Sequence, residues 1–211
     1  IEQGEPHYDI VAGRAYDYIS PDSFPPATPS VLYHGTLALR NTDSAQALAA
    51  LKQRCNAPVF LDVNLRPPWW RAEQVKELLT GAHWVKLNAD ELDMLASGDA
   101  PLDSKARRFL EQNDIELLIV TLGSQGALAF TADGKSAKVR PGDSVTVVDT
   151  VGAGDAFTSV TILGLLLDWP LQQILERAQG FASALVGVRG ATIQDRNFYR
   201  PFLQRWELPV L

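Results

Sequence analysis

Near its C-terminal third the chain carries Asp149-Thr150-Val151-Gly152-Ala153-Gly154-Asp155, followed by a long apolar run. Glycines at a helix start leave several backbone N–H groups without acceptors, and the helix dipole adds positive potential there. Together these make an anion site. Asp155 falls in the first turn of that helix. A carboxylate beside a phosphate is repulsive unless it has work to do. The work on offer is to take the proton from a hydroxyl attacking the phosphorus. The plain alternative, an acidic residue favoured by the helix dipole, accounts for Asp155 but not for the two glycines.

Three other sets could meet a ligand. Asp62, Asn64 and Arg66 alternate with Val63 and Leu65, which puts the three on one face of an extended segment ended by Pro67 and Pro68. An Asp and an Arg on one face suit a polar ligand with phosphates or hydroxyls; a local ion pair explains them equally well. Asn88-Ala89-Asp90-Glu91 reads first as a helix N-cap with its Glu three residues on. The same two side chains also suit the water shell of a Mg²⁺ ion. Thr121-Leu122-Gly123-Ser124-Gln125-Gly126 follows an apolar run, and its glycines permit a tight turn or a close backbone approach to a ligand.

These sets need a sheet to position them. Val31–His34, Pro58–Val63, Ala82–Leu87 and Ile115–Leu122 read as strands. Between them lie helical segments at Ser44–Arg54 (Asp43 or Thr42 as N-cap), Glu73–Leu79 and Ser104–Gln112. Apolar strands alternating with helices imply a parallel sheet covered on both faces, with ligands at the strands' carboxyl ends. Gln125–Thr131 and Lys135–Val139 then form a hairpin turning at Asp133–Gly134. Ser144–Val148 reads as one more strand, and two long helices close the chain. The second helix carries a stripe at Leu171, Ile174, Leu175, Ala178, Phe181, Ala182 and Leu185. At the other end, Glu5–Ile10 and Ala15–Ile19 read as short half-polar strands before a Pro-rich stretch, so residues 1–30 stand apart from residues 31–211.

Composition excludes several classes. The 211 residues allow one large domain or two small ones, and 46% hydrophobic with 21% charged residues fits a globular chain. A net charge of −6 is the wrong sign for a nonspecific nucleic-acid binder. Cys55 is the only cysteine, which rules out an internal disulfide and a Cys-based zinc site and fits a reducing cytosol. The longest apolar run, Ala156–Leu167, is broken by Thr158, Ser159 and Thr161 and is too short to span a bilayer. Phe157 stands where a dinucleotide-binding fingerprint wants its third glycine, and no complete Walker A loop occurs. His7, His34 and His83 have no triad setting, and Trp69, Trp70 and Trp84 read as packing residues.

The stretch DTVGAGDAFTS (149–159) resembles the second signature of the ribokinase-like (PfkB) carbohydrate kinases. LDVNLRPPWW (61–70), KLNADEL (86–92) and VTLGSQGALAF (120–130) resemble three further family blocks in the same order, and the Pro-Pro-Trp after Arg66 is most similar to fructokinases and 2-keto-3-deoxygluconate kinases. The resemblance implies a ribokinase-like three-layer α/β/α sandwich with a mostly parallel central sheet. It also implies ATP-dependent phosphorylation of a sugar hydroxyl by a cytoplasmic enzyme. Asp155 is then the catalytic base, and the backbone of Gly152, Ala153 and Gly154 is the anion hole. Asn88 and Glu91 match the family's Asn-x-x-Glu element, which helps organise Mg²⁺ and phosphate through water. Thr121, Gly123 and Gly126 meet the nucleotide, Arg66 lies near the phosphates or the sugar, and the adenine rests around Phe181–Leu185, at Ala182. The resemblance further implies a monovalent cation, often K⁺, held by the loop around Asp149 and Val151 and the segment near Arg189–Ala191.

Val160 departs from the small residue the signature prefers. The family's opening strand, Gly-rich block and sugar-gripping Asp precede the segment that GEPHYDIVAGRAYDYIS (4–20) resembles, so the chain reads as the C-terminal two-thirds of a kinase with part of its small β lid. Lid strands in this family often pair between subunits, which implies a homodimer. The rival reading is a non-catalytic nucleotide-binding remnant or assembly partner. A nucleoside or vitamin kinase on the same fold is set aside on the Arg66-Pro67-Pro68-Trp69 block.

Overall fold

Apolar strands, the first three each followed by helix, build a six-stranded sheet whose strands neighbour one another in chain order. The strands are β1 (Leu32–His34), β2 (Val59–Asp62), β3 (Trp84–Asn88), β4 (Leu117–Thr121), β5 (Ala127–Thr131) and β6 (Ser136–Val139). β1 to β4 run parallel, and β5 returns antiparallel to β4. The β5–β6 hairpin turns at Asp133–Gly134 as the dipeptide predicts, with Gly134 at φ +86°.

The computed structural model describes residues 10–24, 26, 28–142 and 146–209. They fall into two units, one within Tyr8–Lys138 and the other within Val139–Leu211. The first unit holds the sheet with α1 (Thr42–Arg54), α2 (Ala72–Leu79), α3 (Ala89–Leu95) and α4 (Leu102–Gln112). Strand alternation sends Leu61, Val85, Leu87, Leu118, Val120 and Phe130 into one core with Val75, Leu92, Ala106 and Phe109 of the helices. Phe60, Lys86, Ile119 and Ala129, of opposite parity, are buried too, so the sheet is covered on both faces.

The second unit holds α5 (Ala153–Leu166), α6 (Leu171–Val186) and α7 (Arg196–Arg205). α5 packs closely on α6: a Cβ at Gly164 would come within 2.7 Å of Ile174 Cγ1 and 2.9 Å of Trp169. The α6 stripe is core at Ile174, Leu175, Ala178, Ala182 and Leu185. Its Phe181 instead joins Phe198, Tyr199, Phe202 and Trp206 in an aromatic cluster with α7.

Several expectations are corrected. Ala15–Ile19 is not a strand. Ala15–Asp17 form a 3₁₀ turn, because the Asp17 carboxylate accepts from Gly13 N at 2.8 Å and curls the chain back on itself. Residues 5–9 of the strand expected over Glu5–Ile10 lie outside the described residues, as do Ser144 and Val145 of Ser144–Val148. Residues 146–148 form no strand; Val148 N donates to Val186 O at 2.8 Å instead. Asn41, not Asp43 or Thr42, caps α1, its side chain accepting from Asp43 N at 2.9 Å. A third closing helix, α7, runs through Pro201.

Candidate functional site

The first unit gathers its predicted residues at the carboxyl ends of the parallel strands. Asn88 ends β3 and lies in register with Thr121 at the end of β4. The Asn88 side chain accepts from Glu91 N at 2.8 Å, and Glu91 Oε2 accepts from Asn88 N at 2.8 Å, a reciprocal capping box. Glu91 has a further partner: its Oε1 accepts from Leu65 N at 2.6 Å. Burial pushes the Glu91 carboxyl above the usual range, and the hydrogen bonds from Asn88 and Leu65 work against that shift. With both oxygens engaged by backbone donors, this pair would meet a Mg²⁺ ion through water, using the remaining lone pairs. Among the described residues no group of three His, Cys, Asp or Glu side chains gathers in a way that would hold a metal.

Beyond β2 the expected shared face of Asp62, Asn64 and Arg66 is broken. Asn64 has φ +42° and is exposed, whereas Asp62 is buried. Val63 and Leu65 still enter the core, so apolar burial holds the alternation of side chains while the backbone leaves the strand. Asp62 is paired to Lys86 on β3, Nζ to Oδ2 2.6 Å, with side chains 8% and 7% exposed. The ion-pair explanation is therefore right for Asp62, though its partner is Lys86. Lys86 was missed, and its signal was a lone cation inside an apolar strand; the strand register sets it directly opposite Asp62.

Past β4, Leu122 N donates to Gly126 O at 2.8 Å and closes a tight loop over Gly123–Gln125. Gly126, at φ +98° and ψ −137°, occupies a region open essentially to glycine alone. Thr121 Oγ1 donates to Leu87 O at 3.4 Å.

In the second unit Gly152 caps α5 in the left-handed region, φ +83°. No other residue fits: a Cβ there would lie 2.8 Å from both Cα and Cβ of Ala191. The two sequence-distant segments meet because Asp149 joins them. Its Oδ1 accepts from Val151 N and its Oδ2 from Gly190 N, both at 3.0 Å. These two bonds hold its carboxyl below the usual range. Ala153 N turns back to Thr150 O at 3.3 Å, and Ala156 N makes the first helical bond, to Gly152 O. The N–H groups of Gly154 and Asp155 are therefore the ones the helix start leaves for a ligand. The Asp155 side chain is exposed beside them, and Ala182 is buried in α6.

This fold is shared with solved kinases. The aminoimidazole riboside kinase of Salmonella enterica, crystallised with aminoimidazole riboside and an ATP analog, superposes with a TM-score of 0.71 at 28% identity, over 92% of this chain and 69% of that one. The architecture is thus the ribokinase-like α/β fold of nucleotide-dependent sugar kinases. Residues 25–196 match the model of the pfkB family carbohydrate kinases, and the chain belongs to that family. A probable fructokinase-6, chloroplastic, of Arabidopsis thaliana is 35% identical over 176 residues, 76% of this chain and 45% of the relative. The aminoimidazole riboside kinase of Salmonella typhimurium is 34% identical over 157 residues, 70% of this chain and 48% of the relative. The chain thus spans about half the length of the curated relatives it matches. Among the described residues no helix is long and apolar enough to cross a membrane.

Proposed function

We propose that the protein containing this chain transfers the terminal phosphoryl group of ATP to a hydroxyl of a sugar, with fructose as the first acceptor to test. The observation that carries this reading is the start of α5. Gly152 is held where no side chain fits, and the helix N–H groups and the Asp155 carboxylate stand side by side. The hydroxyl oxygen attacks the γ-phosphorus, its proton passes to Asp155, and the bond to ADP breaks in line. The N–H groups of Gly154 and Asp155 neutralise the oxygens of the transferred group, while Gly152 shapes the turn and Ala153 N stays on Thr150 O. Gly123 and Gly126 line the nucleotide with Thr121, Arg66 meets an anionic or hydroxylated part of the substrates, and the adenine rests near Ala182. Asn88 and Glu91 orient water on Mg²⁺, which when bound neutralises phosphate charge. The turn joined by Asp149, with Val151 and the carbonyls around it, suits K⁺. The reading also carries a cytoplasmic location and a homodimer.

Asp155→Asn should abolish turnover and leave ATP affinity nearly unchanged by calorimetry. Retained turnover removes the base assignment. Nucleotide binding with no phosphorylation of any acceptor supports the rival, a nucleotide-binding remnant or assembly partner. The likeness to aminoimidazole riboside kinases favours a second acceptor class, the ribosides, over their dismissal on the Pro-Pro-Trp block alone. ADP release with D-fructose against aminoimidazole riboside separates the two.

A further inference from the structure

The exit of β2 is held more firmly than a loop requires. After Asp62 the chain leaves the sheet, and Asn64 takes φ +42°, a conformation that costs a non-glycine residue free energy unless its surroundings impose it. The surroundings do so from two sides. From the segment after β1, Thr36 Oγ1 donates to Val63 O at 2.5 Å, with Asn64 O at 3.2 Å. From α3, Glu91 Oε1 accepts from Leu65 N at 2.6 Å. Val63 N is also tied to Lys86 O at 2.9 Å. Capping α3 accounts for the bond between Glu91 Oε2 and Asn88 N, but not for the bond to Leu65, 26 residues away. Thr36 and Glu91 are both buried, so neither bond is traded freely for water. The residue that follows this clamped tripeptide is Arg66.

We propose that Glu91 and Thr36 are positioning residues that clamp the exit of β2, so that Arg66 is presented in one orientation at the carboxyl edge of the sheet. This rests on the reading of Arg66 as a substrate contact. It gives Glu91 a task that needs no metal, and it gives Thr36, which no capping or ligand role explains, the same task from the opposite side.

Arg66→Ala, Glu91→Gln and Thr36→Val should be made in the full-length protein, singly and with the last two each combined with Arg66→Ala. The measurements are kcat and KM for D-fructose and MgATP, the Mg²⁺ half-saturation point, and amide hydrogen exchange at Leu65. Glu91→Gln and Thr36→Val are each expected to lower kcat/KM roughly tenfold, the cost of one buried hydrogen bond. Neither should lower it further once Arg66 is gone. A Gln at position 91 keeps one acceptor oxygen for two backbone donors, so Leu65 exchange is read in Glu91→Ala, where it should quicken by roughly tenfold or more. Unchanged Leu65 exchange in Glu91→Ala overturns the clamp. So do effects that add to those of Arg66→Ala; a raised Mg²⁺ half-saturation confined to Glu91→Gln reports its separate role on the metal's water, and Thr36→Val, which lacks that role, then decides the clamp. Should Glu91→Gln fail to fold, Thr36→Val and its double variant carry the same test. If Arg66→Ala itself matches the wild type, the reading of Arg66 fails, and Leu65 exchange still decides the clamp separately.

Discussion

Gly152→Ala puts a methyl group where the structure leaves no room for one. Two costs combine. An alanine at φ +83° gives up roughly 1–2 kcal/mol to left-handed backbone strain. The new Cβ would also stand 2.8 Å from Ala191 Cα and Cβ and 3.0 Å from its carbonyl oxygen. Two of those three atoms are backbone and cannot rotate aside, so overpacking adds about 1–3 kcal/mol. The expected loss is about 2–5 kcal/mol, measured by urea denaturation followed by circular dichroism. Gly134→Ala is the control. Its φ is +86°, but nothing lies within 4 Å of the added Cβ, so only the strain cost applies. Ala191→Gly in the Gly152→Ala background removes the side-chain contact and leaves the two backbone ones, so it should restore stability in part. Equal losses at positions 152 and 134 would refute the close approach of Ala191. Full stability of Gly152→Ala would refute the left-handed cap and, with it, the anion hole built on it.

Other outcomes follow from buried charges. Burial holds the His34 imidazole neutral, down to a pKa of about 4 from the ordinary 6.5. A lowered pKa contributes stability that is complete above pH 6.5 and lost as pH falls through about 4, up to about 3 kcal/mol. His34→Gln should flatten that part of the stability–pH curve, and an unchanged curve would clear His34 of the effect. Lys86→Met removes the ion-pair cation facing the buried Asp62 and should cost about 3–5 kcal/mol, most of it recovered by Asp62→Leu in the same chain; equal stability of the single and double variants would contradict this. Asp149→Ala should speed amide exchange at both Val151 and Gly190, since one carboxylate serves both. Because the Asp149 carboxyl titrates below its usual 3.8, its contribution is present above that pH and fades as the solution is acidified through and below it.

Much of the fold is legible in short stretches of sequence. Strand alternation, the Asp133–Gly134 turn and the Asn88–Glu91 cap are local matters, decided by residues a few positions apart. The same holds for the glycines at 123, 126 and 152, whose backbone angles few other residues tolerate. The α7 helix was also there to be read: Phe198, Phe202 and Trp206 recur at helical spacing, but Pro201 between them argues against a helix. Ala15–Ile19 misled because its half-polar pattern says nothing of Arg40. The Arg40 guanidinium meets the Asp17 carboxylate at 2.8 and 2.9 Å and stacks 4.2 Å above the Trp69 ring.

By itself, then, the sequence indicated most of the segments that become strands and helices, the glycine turn where a phosphate is proposed to bind, and the family the motifs resemble. Only the tertiary structure decided which side chains work together: Glu91 with Leu65, Lys86 with Asp62, Asp149 with Gly190, and Ala191 against Gly152. Backbone propensity and periodicity act over a turn or a strand, so sequence order carries them. Partners 24 to 41 residues apart are chosen by strand register and by how loops cross, and order along the chain does not encode that distance.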